Sequence, residues 1–479
     1  MSSPRTLDEL EAAVRRDLDL IKYPEPEWVP KRSAGDDEPV LDVLIVGAGQ
    51  GGCAIAAMLL RERVTNILAI DAAPHGQEGP WRTYARMQTL RTWKTVTGPD
   101  LGIPSLTFQA WYEAQHGARA FAALGKIAKE QWHDYLLWLR DVLALPVENG
   151  VTLERVAPDE RSPLLRAFVR SARGAKTLLA RKVVLAMGIE RSGRWWMPEH
   201  VAALPERFRA HAAEPIDFAA LRGKRVAVLG AGASAFDNAA CALEAGARDV
   251  RLFCRRAELQ RVQPYKAISY PGFLRHFHAL DDATRWRFMR YLLGMREALP
   301  VETWNRVTRH AQFSLHTGSP WERLAVAGDE VRITTPAAQF AADFLIAGTG
   351  FDMDLSLRTE LAGFTDRIAT WGDRYVPPPG EDDARLARYP YLDAGFAFTE
   401  KAPGRAPFLR DLHCFDFGTM MSAGPSGSSI NGMKFAVPRL VDAITRDLFF
   451  ADIERHYAAL LAYRTPEFGL EFARDRAAP

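Results

Sequence analysis

The chain has 479 residues, enough for two or three domains, each with its own core. Its 61 basic and 59 acidic residues leave a net charge of +2, which gives no reason to expect nucleic acid or an anionic membrane as partner. The four cysteines, Cys53, Cys241, Cys254 and Cys414, form no C-x-x-C pair, which argues against a zinc site or a sequence-local redox disulfide and suits a reducing compartment.

In chain order, residues 1–38 come before any strand signal. Leu7, Leu10, Val14, Leu18 and Ile21 recur at helical spacing, which predicts one amphipathic helix, ended at Tyr23-Pro24-Glu25-Pro26. The segment reads as an arm on the main body or as a disordered tail. It carries no apolar signal stretch, and no later run approaches membrane-spanning length, so a cytoplasmic protein is expected.

The run Val43-Leu44-Ile45-Val46 reads as a buried parallel strand. It enters the loop Gly47-Ala48-Gly49-Gln50-Gly51-Gly52 and then an Ala- and Leu-rich helix. Gly47 permits the tight turn, Gly49 lets backbone approach a pyrophosphate, and Gly52 lets the helix pack close. A second strand ends in Asp71, 19 residues past Gly52 (71 − 52), where a carboxylate grips a ribose hydroxyl. This half is read as the FAD site.

A helix around Gln131–Leu139, a hairpin-like stretch over 164–179 and a strand from Lys182 to a turn at Gly188 follow. A second fingerprint then appears. Val226-Ala227-Val228-Leu229 leads into Gly230-Ala231-Gly232-Ala233-Ser234-Ala235, with Ala235 as the permitted third small residue. At the place equivalent to Asp71 stand Cys254, Arg255 and Arg256. A carboxylate there would repel a 2′-phosphate, whereas two guanidinium groups bind one with charge-assisted forks. This half is read as the NADPH site. Two different dinucleotides in one chain imply electron transfer between them.

Residues 264–325 read as a helical insertion carrying Phe273, Phe277, Trp286, Phe288, Tyr291 and Trp304. These aromatics either cover a substrate pocket or form a small core of their own. The run Ala342–Ala347, ending in Gly348-Thr349-Gly350-Phe351, is similar to the strand ending at Gly188 and reads as the return to the first unit. The predicted fold is α/β, with two Rossmann-like dinucleotide-binding domains. The FAD domain covers 39–215 and 339–479, and the NADPH domain, 216–338, is inserted in it.

The ordered set of first fingerprint, Gly79-Pro80-Trp81, Ala186-Met187-Gly188, second fingerprint with arginines, and Gly348-Thr349-Gly350-Phe351 resembles the class B flavoprotein monooxygenases, the flavin-containing and Baeyer–Villiger group. The resemblance covers roughly residues 40–445. It implies that Trp81, Thr92, Gly188, Gly350 and Phe351 lie by the cofactors, and that Ser234 belongs to the second loop. It also implies a cycle in which NADPH reduces FAD, dioxygen forms a flavin C4a-hydroperoxide, and one oxygen atom enters a small organic substrate.

The chain departs from the family marker between the fingerprints, of which only His211 remains. His211 is open to a domain-coupling role or to a local hydrogen bond. Arg82, Arg86, Arg91 and Lys94 could favour an oxygenated flavin anion, and Arg91 is the catalytic candidate. A flavin reductase serving a partner and a redox-sensing flavoprotein are the rival readings. The substrate and the oligomeric state are not legible.

Overall fold

The computed structural model describes residues 6–22, 26–35, 38–425 and 429–468. The expected breaker at Tyr23-Pro24-Glu25 and the loop residues Ser426 and Gly427 lie outside them. The first helix, Leu7–Leu20, starts with Thr6 accepting the backbone N–H of Glu9. Leu10 and Val14, one turn apart, are buried in the core beside the first glycine helix.

Two parallel-type sheets organise the chain. The larger has eight strands. At its centre Pro39–Val46 pairs in parallel with Ile67–Asp71 on one edge and with Gly174–Leu185 on the other. Gly174–Leu185 is one unbroken strand. Its first half closes a hairpin with Leu165–Ser171, and its second half pairs with Leu412–Cys414, which returns from far along the sequence. The second strand of the sequence-based hairpin and the strand from Lys182 are thus one element. Below this sheet the helices Gln50–Arg61, Lys129–Val142 and Ile430–Ala451 bury an aromatic-rich core around Phe108, Trp132 and Tyr135.

The second sheet has five parallel strands in the spatial order Phe313–His316, Asp249–Phe253, Arg225–Leu229, Phe344–Ala347 and Arg209–His211. This corrects three sequence expectations. Arg209–His211 and Phe344–Ala347 were placed with the first unit, yet both hydrogen-bond into the second sheet. Phe313–His316 was placed in the helical insertion, yet it forms the far edge of the same sheet. The physical reason is common to all three. A short buried parallel strand is identified by its apolar run, and that run does not say which sheet it completes.

The helical stretch ends at Thr308, and residues 323–342 form a three-stranded antiparallel sheet that the sequence reading missed. Phe273, Phe277 and Trp286 lie in a core shared with Trp371, whereas Phe288, Tyr291 and Trp304 are exposed. The insertion aromatics therefore divide between core and surface.

The chain crosses between the sheets twice. The crossings are Gly193–Trp195 and Phe351–Met353, which pair with each other as an antiparallel ribbon. No helix among the described residues is long and apolar enough to cross a membrane.

Candidate active site

The glycines of the first loop meet different physical demands, and two of them are fixed by the backbone. Gly47 has φ +103°, and a Cβ there would sit 2.4 Å from the Ala186 carbonyl oxygen. A Cβ on Gly52 would sit 1.8 Å from the Gly47 carbonyl oxygen. Both glycines are required by the fold itself. A Cβ on Gly51 would meet the Phe415 ring at 3.5 Å, an ordinary contact. Gly49 differs from all three. It caps the helix Gln50–Arg61 with φ −70° and ψ −170°, a conformation open to any residue, and nothing lies within 4 Å of its would-be Cβ. Gly49 contributes no side-chain cap, so no side chain from the cap position satisfies the first N–H groups of the helix.

Asp71 ends the adjacent strand. Its Oδ2 accepts the Ala48 N–H at 2.7 Å and its Oδ1 accepts the Ala73 N–H at 2.8 Å. Burial raises its pKa, and these two donors partly offset the rise. Gly79 turns with φ +71° beneath buried Trp81. The buried hydroxyl of Thr92 has no hydrogen-bond partner among the described residues. Gly188 turns with φ +68°, and its carbonyl accepts the Ser192 hydroxyl at 2.8 Å.

The second loop repeats the logic with a substitution. Gly230 has φ +134°, and a Cβ on it would sit 2.2 Å from the Gly348 carbonyl oxygen. Ala235 stands where the first loop has Gly52. Space for its methyl group comes from Gly348, whose own Cβ would lie 2.5 Å from that of Ala235. Gly232 caps the helix Ala233–Glu244 with φ −82° and, like Gly49, faces open space. Ser234 is exposed at the first turn, and its carbonyl accepts from Asn238 at 2.9 Å.

Beyond the neighbouring strand, Arg256 donates to the carbonyls of Gly294 and Met295 at 3.0 and 3.1 Å, capping the helix Asp282–Met295. The Arg255 guanidinium is exposed and makes no hydrogen bond or ion pair among the described residues.

All four cations singled out near the first site have protein partners. Arg82 pairs with Asp134 at 2.9 Å, Arg86 donates to Thr83 and Glu214 carbonyls, and Lys94 donates to those of Phe121 and Ala122. Arg91 sits 3.1 Å from Glu297 and 4.0 Å from Asp237. Asp237 lies on the second glycine helix and is also 3.5 Å from Arg306. Arg91 thus joins the first unit to the second through two carboxylates.

At the ribbon between the sheets, Trp195 stacks on His211 at 5.4 Å and meets Tyr84 and Phe351 edge-on. His211 Nδ1 accepts the Ala213 N–H, and its backbone N–H donates to Glu214. Burial lowers its pKa. Tyr84 is hydrogen-bonded to Glu190, and burial raises the pKa of both. Asp237 and Glu190 were not legible in the sequence. A lone acid or base carries no signal until a distant partner is beside it.

A family model described as FAD-NAD(P)-binding matches residues 44–190, which contain the first loop and Asp71. The FAD-dependent urate hydroxylase of Xanthomonas campestris pv. campestris is 44% identical over 466 residues, covering 97% of each chain. Among solved structures, an ornithine N-hydroxylase of Kutzneria sp. 744, solved with reduced FAD, NADP+ and L-ornithine, gives a TM-score of 0.66 at 18% identity, over 85% of this chain and all of that one. The L-lysine 6-monooxygenase of Pseudomonas syringae gives 0.64 at 18% identity, over 85% of this chain and 99% of that one. At these identities the solved structures speak for the fold. The near end-to-end likeness to the hydroxylase speaks for the family, and the chain belongs to the FAD-dependent flavoprotein monooxygenases with an FAD-NAD(P)-binding region.

Proposed function

We propose that this monooxygenase hydroxylates urate, with FAD on the first glycine loop and NADPH on the second. The observation that carries the substrate is the 44% identity to a urate hydroxylase over 97% of the chain. The cofactor placement is supported by the two open faces at Gly49 and Gly232, each at a helix N-terminus with no side-chain cap.

Bound FAD supplies the electron transfer and oxygen activation. The protein's own residues do the rest. The N–H groups after Gly49 hold one diphosphate, and those after Gly232 hold the other. Asp71 keeps Ala48 in place and presents its remaining acceptor capacity to a ribose hydroxyl. Arg255 stands free at the strand end where a 2′-phosphate would lie. Trp81, Thr92, Gly188, Gly350 and Phe351 line the approach to the flavin, and Trp195 on His211 couples the two units. Arg91, held by Glu297 and Asp237, positions the second helix, in place of the charge-stabilising role its sequence position suggested.

The overall balance is urate, O2, NADPH and a proton giving hydroxylated urate, NADP+ and water. The test measures NADPH oxidation with and without urate, and product mass under 18O2. Urate-dependent NADPH oxidation with one labelled oxygen in the product is expected. Oxidation stimulated by ornithine or lysine and not by urate would replace the substrate. Reduction of dyes with no labelled product would replace oxygenation by a reductase activity.

A further inference from the structure

The second glycine loop follows Arg225–Leu229, which is flanked by the strands Asp249–Phe253 and Phe344–Ala347. The carboxyl ends of those two strands form the banks of the loop's open face. One side chain spans from bank to bank. Arg296 directly follows Met295, whose carbonyl accepts from Arg256, three residues past Phe253 (256 − 253). Its guanidinium reaches the opposite bank, with Nη1 4.0 Å from the would-be Cβ of Gly350, three residues past Ala347 (350 − 347).

The surroundings of Arg296 call for an anion. Glu297 is taken by Arg91, Asp383 by Arg385 and Asp352 by Arg388. The Arg296 guanidinium has no ion pair or side-chain hydrogen bond among the described residues. Its near neighbours include Arg255, Arg256 and Arg385, all of its own sign. Crowding by protein, and then these like charges, lower its pKa against the opposing pull of Tyr389, although the residue is exposed to solvent. Its backbone has φ +68°, a conformation that costs a residue with a side chain.

We propose that Arg296 is a strap that binds the diphosphate of the nicotinamide dinucleotide from the side opposite the N-terminus of Ala233–Glu244. The proposal rests on the assignment of NADPH to the second loop. A diphosphate held by helix N–H groups on one face leaves anionic oxygens on the other, and a guanidinium fork fits them. A 2′-phosphate belongs farther along, at Arg255. The strap therefore acts on a part common to NADPH and NADH.

Arg296→Gly suits the positive φ and removes only the side chain, and Arg296→Lys restores a charge without the fork. Anaerobic stopped flow measures flavin reduction against NADPH and NADH concentration, alongside flavin content and the KM for urate. We expect Arg296→Gly to weaken both nicotinamide cofactors by the same factor, about ten- to a hundredfold. Arg296→Lys recovers part of the loss, and flavin content and urate KM stay unchanged. Weakening of NADPH alone would move Arg296 to the 2′-phosphate. A raised urate KM with normal NADPH binding would make it a substrate residue. No change at all would leave it a surface cation. Gly232→Val keeps the two failures apart. If that variant is still reduced by NADPH, the loop assignment fails. If it is not reduced while Arg296→Gly is normal, only the strap fails.

Discussion

Adding a side chain at either of two glycines three residues apart should produce opposite phenotypes. Gly49→Val places Cβ where no heavy atom lies within 4 Å, on a backbone with φ −70°. Its cost to folding is the weak helix-capping preference of valine, about 1 kcal/mol. In a chain this long that is a Tm shift of about 2–4 °C or less. Its cost to binding is much larger, because the branched side chain fills the space over the helix N–H groups. Hydrogen bonds to a charged group are worth about 1.5–3 kcal/mol each, so losing two weakens FAD by about 10²–10⁴-fold.

Gly52→Ala adds less bulk, yet its Cβ would sit 1.8 Å from a backbone oxygen of its own loop. It should lose folded protein rather than flavin alone. Flavin-to-protein ratio and thermal melting of the two purified variants are the assay. A folded Gly49→Val protein with full flavin, or a fully stable Gly52→Ala protein, would refute the distinction between cofactor-facing and fold-facing glycines.

Other outcomes follow from the same geometry. Arg255→Ala should lower NADPH efficiency in flavin reduction by about ten- to a hundredfold and leave NADH unchanged, since the lost partner is the 2′-phosphate. Equal loss with both cofactors in stopped flow would count against it. Gly348→Ala should lower the Tm by clashing with Ala235, and Ala235→Gly should restore only part, because the Ala235 Cα would remain 2.8 Å from the new methyl group. Full restoration, or no initial loss, would contradict the packing. Burial pushes the His413 pKa down to about 3, with Lys182 next in effect. A depressed folded pKa means that the unfolded chain binds the proton first. Stability is therefore intact above about pH 6.5 and falls by up to about 1.4 kcal/mol per pH unit below it. His413→Asn, which can keep the donor to the Gly395 carbonyl, should flatten that part of a melting-versus-pH curve.

What the sequence revealed depended on how local the physics was. Each glycine loop announces itself because an apolar strand, a turn and a helix start lie within ten residues, and the acid at Asp71 lies at a fixed distance beyond. Sheet membership was less legible. Phe344–Ala347 ends in Gly-Thr-Gly much as the strand before Gly188 ends in glycine, and only hydrogen bonding to Arg225–Leu229 assigns it to the second sheet. Charge partners were not legible at all. Arg91 reads as a free cation in sequence, because Glu297 lies 206 residues away. The pairing of Ala235 with Gly348 was equally hidden. The first is a permitted variant of a motif, and only contact in space makes the second its counterpart.

The paired crossing strands carry a mechanical consequence. Two separate tethers would let the cofactor units slide, splay or rotate freely. Here Gly193–Trp195 and Phe351–Met353 are laced together, and the Trp196 N–H extends the lacing to the Gly350 carbonyl. Close contact is built in, since a Cβ on Gly193 would lie 2.2 Å from the Asp352 carbonyl oxygen. Pulling the two crossings apart would break the hydrogen bonds that pair them. The link between the units is therefore one laced ribbon rather than two independent strands. The ion pairs of Lys126 with Glu302 and of Arg91 with Glu297 add to that link between the units. Salt should screen those exposed ion pairs and leave the ribbon's hydrogen bonds intact.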